Sequence, residues 1–447
     1  MKTSTEQTES VEEVIRLPSE LPSGWEKSSL AQVAEIIMGQ SPSSEYYNME
    51  GSGLPFFQGK AEFGDLYPEA VKWCSAPGKI AQKDDVLISV RAPVGPTNLA
   101  PSECCIGRGL AAIRPRNGIP PKYILHYLRS IESDIDSLGT GTTFKAISGK
   151  TLREIPIPVA PPDQQKRIVA EIEKQFSRLD EAVANLKRVK ANLKRYKAAV
   201  LKAAVEGRLV ETEAERARRE GRSFETGAEL LQRILETRRS QWQGKGKYKE
   251  PAAADTTTLP ELPEGWVWAT IGQVAECIDS MRVPVNKKER LNRVGDVPYY
   301  GANGRVGFID DYIFNEPLVL VVEDETFTGR ELPFSYKIAG KSWVNNHAHV
   351  LRPTDMVTLD YLNYALSFYP FTPLTTGTTG RKKLTQLALV TAPLGIPPKA
   401  EQQRIVAEVD RRLSLSEEAE AQVDANLKRT QVLRGAVLSN AFQNKQI

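Results

Sequence analysis

The chain has 447 residues, 40% of them hydrophobic, which is too long for one core and enough for two at the ~100–200 residues usual per domain. Four cysteines, of which only Cys104 and Cys105 are adjacent, and three histidines give neither a disulfide framework nor a zinc pattern, so no metal is expected and a reducing, cytoplasmic compartment fits best. The net charge of +3 is uneven: residues 187–249 hold 18 Lys+Arg against 8 Asp+Glu, leaving about −7 for the rest, and this basic middle suits either a phosphate backbone or a solvated helical face.

The first 22 residues are polar, lack the apolar segment of a signal peptide, and are expected to fray; no run approaches the ~18 apolar residues needed to span a bilayer, so a soluble chain is expected. Residues 23–160 predict a mixed α+β module. Val86-Leu87-Ile88-Ser89-Val90 reads as a strand, Gly51-Ser52-Gly53, Ala76-Pro77-Gly78 and Ala92-Pro93-Val94-Gly95-Pro96 as turns, and Pro121 to Ile131 as a helix with Ile124, Tyr127 and Leu128 on one side. At Pro161-Pro162 the period changes. Ile168, Ile172, Phe176, Leu179, Val183, Leu186, Val189, Leu193, Tyr196 and Val200 recur in steps of three and four, predicting one long amphipathic helix over 161–206 that contains an unbroken seven-residue repeat from Ala184 to Lys197. Residues 207–258 then read as a basic linker with a helical stretch from Ala228 to Trp242 and a flexible Gly/Lys segment after it. A second module is expected over 259–395, with a strand at Leu318-Val319-Leu320-Val321-Val322 and turns at Gly301, Gly304 and Gly307. A second long helix over 396–447 carries Ile405, Val409, Leu413, Val423, Leu427, Leu433 and Val437 on its stripe.

The two halves share a frame. Leu21-Pro22-Ser23-Gly24-Trp25 returns as Leu262-Pro263-Glu264-Gly265-Trp266, Gln32-Val33-Ala34-Glu35 as Gln273-Val274-Ala275-Glu276, and Arg167-Ile168-Val169-Ala170-Glu171 as Arg404-Ile405-Val406-Ala407-Glu408. Between these matched ends the copies diverge, so two related modules doing one kind of job on two different targets are expected. Two long apolar stripes need cover, and antiparallel packing of the helices on each other supplies it, making a bar between two globular heads. The fold class is therefore α+β: two mixed modules in tandem, joined and separated by two long antiparallel coiled-coil helices.

Two catalytic matches fail. Ser148-Gly149-Lys150-Thr151 resembles the end of a phosphate-binding loop, but Phe144 stands where that loop needs glycine. A DNA methyltransferase would show an Asn- or Asp-Pro-Pro-aromatic motif; Pro120-Pro121, Pro161-Pro162 and Pro397-Pro398 instead follow Ile, Ala and Ile. The Leu-Pro-x-Gly-Trp turn reads as structural, an aromatic anchor for the core. Gly139-Thr140-Gly141-Thr142-Thr143 and Thr376-Gly377-Thr378-Thr379-Gly380 occupy matching places and lead into Lys145 and Arg381-Lys382-Lys383. Small hydroxyls and free amides followed by cations suit phosphate contact, or an ordinary turn.

Taken together, the paired Leu-Pro-x-Gly-Trp frames, the Thr-Gly-Thr-Thr loops, the Ile-Pro-Ile-Pro and Leu-Gly-Ile-Pro-Pro passages and the Arg-Ile-Val-Ala-Glu helix starts resemble the specificity subunit of type I restriction–modification systems, from Leu21 to about Phe442. The resemblance implies a non-catalytic DNA-reading chain whose two target-recognition domains each take one half of a split, asymmetric site. It also implies two modification subunits that methylate adenine with S-adenosylmethionine, restriction subunits that use ATP and Mg2+ to translocate and cut, and a helix pair that sets the half-site spacing. Alternatives are a related bipartite restriction system and a coiled-coil scaffold with two protein-binding heads. Arg and Lys pair with guanine edges, Asn and Gln with adenine. On that ground the DNA-contact candidates are Gln40, Ser41, Gln58, Lys60, Arg91 and Arg108 in the first head and Tyr300, Asn303, Arg305, Arg330, Asn345 and Asn346 in the second; Thr142, Lys145, Arg381 and Lys382 join them from the loops.

Overall fold

A computed structural model describes residues 10–141, 145–244, 246–325, 327, 329–377 and 382–443. It divides into two compact units, residues 1–187 with 424–447, and residues 188–423. Among the described residues six helices reach eight residues or more: α1 (Pro121–Ser130), α2 (Pro162–Val205), α3 (Glu213–Glu220), α4 (Gly227–Ser240), α5 (Leu359–Ser367) and α6 (Lys399–Phe442). None of the described helices is long and apolar enough to cross a membrane.

In the first unit the continuous apolar run Val86–Ser89 is an inner strand of a four-stranded antiparallel sheet, ordered Ala34–Met38, Leu110–Pro115, Val86–Ser89, Thr97–Leu99. Side chains alternate across a strand, and both faces here are covered. Val86, Ile88, Ala111 and Ile113 share a core with Tyr123, Ile124 and Tyr127 of α1. Leu87, Leu110 and Ala112 instead pack with Phe57, Ala81 and Ile106, which belong to a second sheet ordered Tyr47–Asn48, Trp73–Cys74, Leu54–Phe57, Cys104–Ile106, Ile80–Ala81.

The second unit repeats the plan. Ala275–Cys277, Ala348–Pro353, Leu318–Val322 and Ser335–Ile338 form its main sheet; Val319 and Val321 face Tyr361 and Leu362 of α5, while Leu318 and Leu320 face Phe314 and Val344. Phe314 and Val344 belong to a second sheet, Gly304–Ile309, Val297–Gly301, Lys341–Val344, Phe314–Asn315. The stretch expected as a linker forms α3 and α4, each opened by a threonine and glutamate capping box, Thr212 with Glu215 and Thr226 with Glu229. It lends Leu209, Leu230 and Ile234 to the same core as Trp266, and Ala214 and Ala217 of α3 are buried as well.

The shared frame is a clamp on the start of each long helix. Gly24 (φ +82) and Gly265 (φ +87) turn the chain through the left-handed region, so that Trp25 and Trp266 aim their indoles back at α2 and α6. Trp25 Nε1 donates to Gln164 Oε1 at 2.9 Å and Trp266 Nε1 to Glu401 Oε1 at 2.8 Å. The repeated glutamine is a capping residue: Ser29 N donates to Gln32 Oε1 (2.8 Å) and Thr270 N to Gln273 Oε1 (2.9 Å). A further pair differs instructively. Gln402 donates to Pro397 O and accepts the N–H of Thr358, which opens α5. Gln165 donates to Ala160 O, but α1 is opened by Pro120, which has no N–H, and the buried Gln165 Oε1 is left without a donor.

Each long helix is 44 residues, about 66 Å at 1.5 Å per residue. In the first unit Ile172 and Phe176 of α2 share a core with Leu438, Ala441 and Phe442 near the end of α6, and Asp180 pairs with Arg434. In the second, Val200 and Ala204 near the end of α2 share a core with Ile405 and Val409 near the start of α6, and Lys197 Nζ lies 2.5 Å from Glu420 Oε2. Start against end is the antiparallel pairing. Leu433, expected on the buried stripe, is 41% exposed, because Leu438, Ala441 and Phe442 are the residues that turn into the core there. Val189 and Tyr196 of the α2 stripe also stay more than two fifths exposed.

Candidate nucleic-acid interface

Strand ends of both sheets meet in the first unit. Gln40 N donates to Ile106 O (3.0 Å), Gly107 N to Phe57 O (2.8 Å) and Arg108 N to Ser41 Oγ (3.2 Å), which brings three loops together. The approach depends on Gly109: a Cβ there would lie 2.1 Å from Gln58 O, so no other residue fits. The result is a cleft of about 190 Å³ lined by Ser41, Gln58, Lys60, Arg91 and Arg108, five of the six candidates read from the sequence; Gln40 is exposed at the neighbouring position. Lys60, Arg91 and Arg108 are exposed, and among the described residues none has a carboxylate within ion-pair distance. Three unneutralised cations beside a glutamine and a serine are a donor-rich concavity suited to an anion and to base-edge acceptors.

The Gly-Thr loop adjoins this cleft. Thr140 and Ala146 exchange backbone hydrogen bonds, Ala92 N donates to Lys145 O, and Ala146 bridges Arg91. Thr142 lies outside the described residues. Lys145 is already matched to Asp136, Nζ to Oδ2 3.0 Å, an exposed pair that a phosphate could replace at little cost. Ser148, the phosphate-loop look-alike, caps the helix Gly149–Glu154 by accepting from Thr151 N.

In the second unit the candidates gather around the hairpin Val297–Gly301 and Gly304–Ile309, but more of their polar capacity is used internally. Asn303 Oδ1 accepts from Arg330 Nη2 (2.7 Å), which also donates to Pro333 O; Asn345 Oδ1 accepts from His347 N (2.9 Å). The ring of Tyr300 packs beside Tyr336 at 6.1 Å. Arg305 and Asn346 are exposed, Arg305 lying 4.8 Å over the Phe308 ring. Arg381 lies outside the described residues, and Lys382 sits in the strand Lys382–Leu384.

That strand is tied down by a charged network that nothing in the sequence announced. His349 Nδ1 is 2.5 Å from Asp279 Oδ2 and Nε2 is 2.8 Å from Leu384 O; Lys383 Nζ is 2.9 Å from Glu323 Oε1, and Arg282 pairs with both Glu323 and Asp279. Burial pushes the Asp279 carboxyl up, yet His349, the Val350 amide and Arg282 outweigh it and hold it below the usual carboxylate range. Cys277, Asp279 and His349 come within 4.8 Å of one another, within metal-ligand reach. The His349 and Asp279 donors are otherwise committed: both ring nitrogens face protein oxygens and Arg282 lies 3.2 Å from Asp279, while burial raises the Cys277 thiol to about 12.

Residues 22–195 and 263–428 each match the family described as type I restriction modification DNA specificity domain, and together they cover most of the chain. The chain belongs to that family. The two matched stretches each contain one strand-and-helix frame and the start of one long helix, so the family signature lies in the clamp as well as in the heads. A Methanocaldococcus jannaschii protein assigned as the specificity subunit of the type I restriction enzyme MjaX is 45% identical over 167 residues, 37% of this chain and 38% of that one. The chain thus spans only about two fifths of that relative's length. The StySPI specificity subunit of Salmonella potsdam is 22% identical over 95% of this chain and 90% of its own length. A solved HsdS subunit from Thermoanaerobacter tengcongensis is 49% identical over 38% of this chain and 43% of its own, with a TM-score of 0.34.

Proposed function

We propose that this chain is the DNA-reading subunit of a type I restriction–modification complex, and that it binds a bipartite, asymmetric duplex site with one half-site per unit. The observation that carries this is the duplicated family match framing two unlike heads, one presenting a cleft of unneutralised cations and the other a hairpin that carries Tyr300, Asn303 and Arg305. Unlike heads call for unlike half-sites, and in this reading the helix pair sets the half-site spacing, a role that half-site geometry plays in dimeric DNA-binding proteins. The chain itself carries out no chemistry in this reading. Adenine methylation falls to modification subunits using S-adenosylmethionine, and cleavage to restriction subunits using ATP and Mg2+. The target base would be flipped into the methyltransferase pocket. The exposed Val189 and Tyr196 on α2 suit cover by those partners.

The test is a methylation map of DNA from cells expressing this chain with its modification subunit, against cells expressing that subunit alone. Methylated adenine at one split motif, dependent on this chain, is the expected result. No chain-dependent mark, with association of the two proteins demonstrated, would refute it. Salt dependence separates the reading from a protein-binding scaffold, because phosphate neutralisation makes affinity fall steeply with salt and an apolar protein interface does not.

A further inference from the structure

A second basic surface lies in the second unit, built mainly from residues not singled out from the sequence and joined by one that was, Arg305. Asn286-Lys287-Lys288-Glu289-Arg290-Leu291-Asn292-Arg293-Val294 holds four cations against one carboxylate. Asn286 caps the short helix Lys287–Asn292 by accepting from Glu289 N at 2.9 Å. Lys287 and Lys288 are exposed, and among the described residues neither has a carboxylate at ion-pair distance. The helix is fastened by stacking: the Arg290 guanidinium lies 4.7 Å over Tyr299, and Arg293 lies 4.5 Å over Trp343 while pairing with Asp310. The apolar side chains on it and just after it are left outside, Leu291 69% and Val294 85% exposed. The adjoining edge strand Gly304–Ile309 continues the pattern with exposed Arg305, Val306 and Phe308. Arg290 bridges the two, its Nε 3.9 Å from where a Cβ on Gly307 would stand.

We propose that this ridge, with Lys287, Lys288 and Arg305 as its cations and Leu291 and Val294 between them, grips the sugar–phosphate backbone of duplex DNA beside the half-site read by the second unit. The proposal rests on the function given above. Charge complementarity selects the occupant: a deoxyribose backbone alternates anionic phosphates with apolar sugar faces, and the ridge alternates cations with aliphatic side chains. The same hairpin carries Tyr300 and Asn303, so backbone grip and base contact share one rigid support.

The experiment uses the full chain assembled with its modification subunits, and a duplex enriched from a random library by the wild-type complex, with affinity measured across a salt series. Lys287→Gln with Lys288→Gln should lower the slope of log affinity on log salt by about 2, with the same sequence enriched. Leu291→Ser with Val294→Ser should weaken binding several-fold and leave the slope alone. An unchanged slope in the lysine pair, or a different enriched sequence, overturns the ridge. So does loss of assembly with the modification subunits at an unchanged salt slope, which would make the surface a protein contact. No enrichment by the wild-type complex refutes the function on which the ridge depends, and so is distinguishable from failure of the ridge itself.

Discussion

Glu401 and Gln164 occupy the same place in the two clamps and do different work. Gln164 accepts one indole N–H; Glu401, fully buried, accepts Trp266 Nε1 and also the backbone N–H of Glu213 at the start of α3. Burial raises the Glu401 carboxyl, opposed by those two donors. A glutamine there has one acceptor for two donors, so Glu401→Gln should lose about 1–3 kcal/mol in denaturant unfolding, the cost of one buried donor left unpaired. Asp279 offers a pH test. Its folded value lies below 3.8, so its stabilisation is present above that value and is lost as pH falls through the folded one. The stability gap between wild type and Asp279→Asn should therefore be constant near pH 6 and close progressively below about pH 4; a gap that widens on acidification would contradict the network. Neither residue stood out in the sequence, because each acquires its role chiefly from contacts more than 60 residues away, Trp266 and Glu213 for Glu401 and His349 and Val350 for Asp279.

Elements with a strong internal period were legible. The three-and-four spacing from Ile168 to Val200 marked α2 to within a few residues, and Val86-Leu87-Ile88 stood out as a buried strand because both faces of its sheet are covered. The second sheet of the first unit was not legible, since strands of two residues such as Tyr47–Asn48 and Trp73–Cys74 exist through pairing with distant partners and carry no period of their own. In the segment 207–258, read as a basic linker with a helix from Ala228 to Trp242, the helix lies at Gly227–Ser240; that Leu209, Leu230 and Ile234 join the core of the second unit was not legible, because their partners are distant in the chain. Five of the six first-head candidates line one cleft because turn-rich polar loops at strand ends are where a sheet presents side chains; what stayed hidden was the close approach at Gly109 that lets those loops converge. The last turn of α6 gives a packing test. Phe442 meets Tyr123 and Tyr127 edge-on, each at 5.3 Å between ring centres. Phe442→Ala should cost about 3–5 kcal/mol in thermal or denaturant unfolding of the first unit; a loss below 1 kcal/mol would mean that the helix end is not seated.

For the molecule as a whole, two separate cores imply two separable readings. Gln58→Ala with Arg108→Ala, both on the first cleft, should relax one half of the methylated motif by about 1–3 kcal/mol per lost base contact, leaving the other half and the spacing intact. A methylation map showing both halves altered would mean that the two units do not recognise independently. Chain order adds a consequence. The second unit is one continuous stretch, whereas the first is completed only by residues 424–447, with 236 residues intervening. On a ribosome the head encoded first is therefore the one finished last: the side of Tyr123 and Tyr127 that Phe442 covers stays open through the synthesis of the entire second unit, until Phe442 emerges. A transcript cut short near its end would yield a protein with its second head whole and its first head open, so such truncation should strike the half encoded farthest from the break.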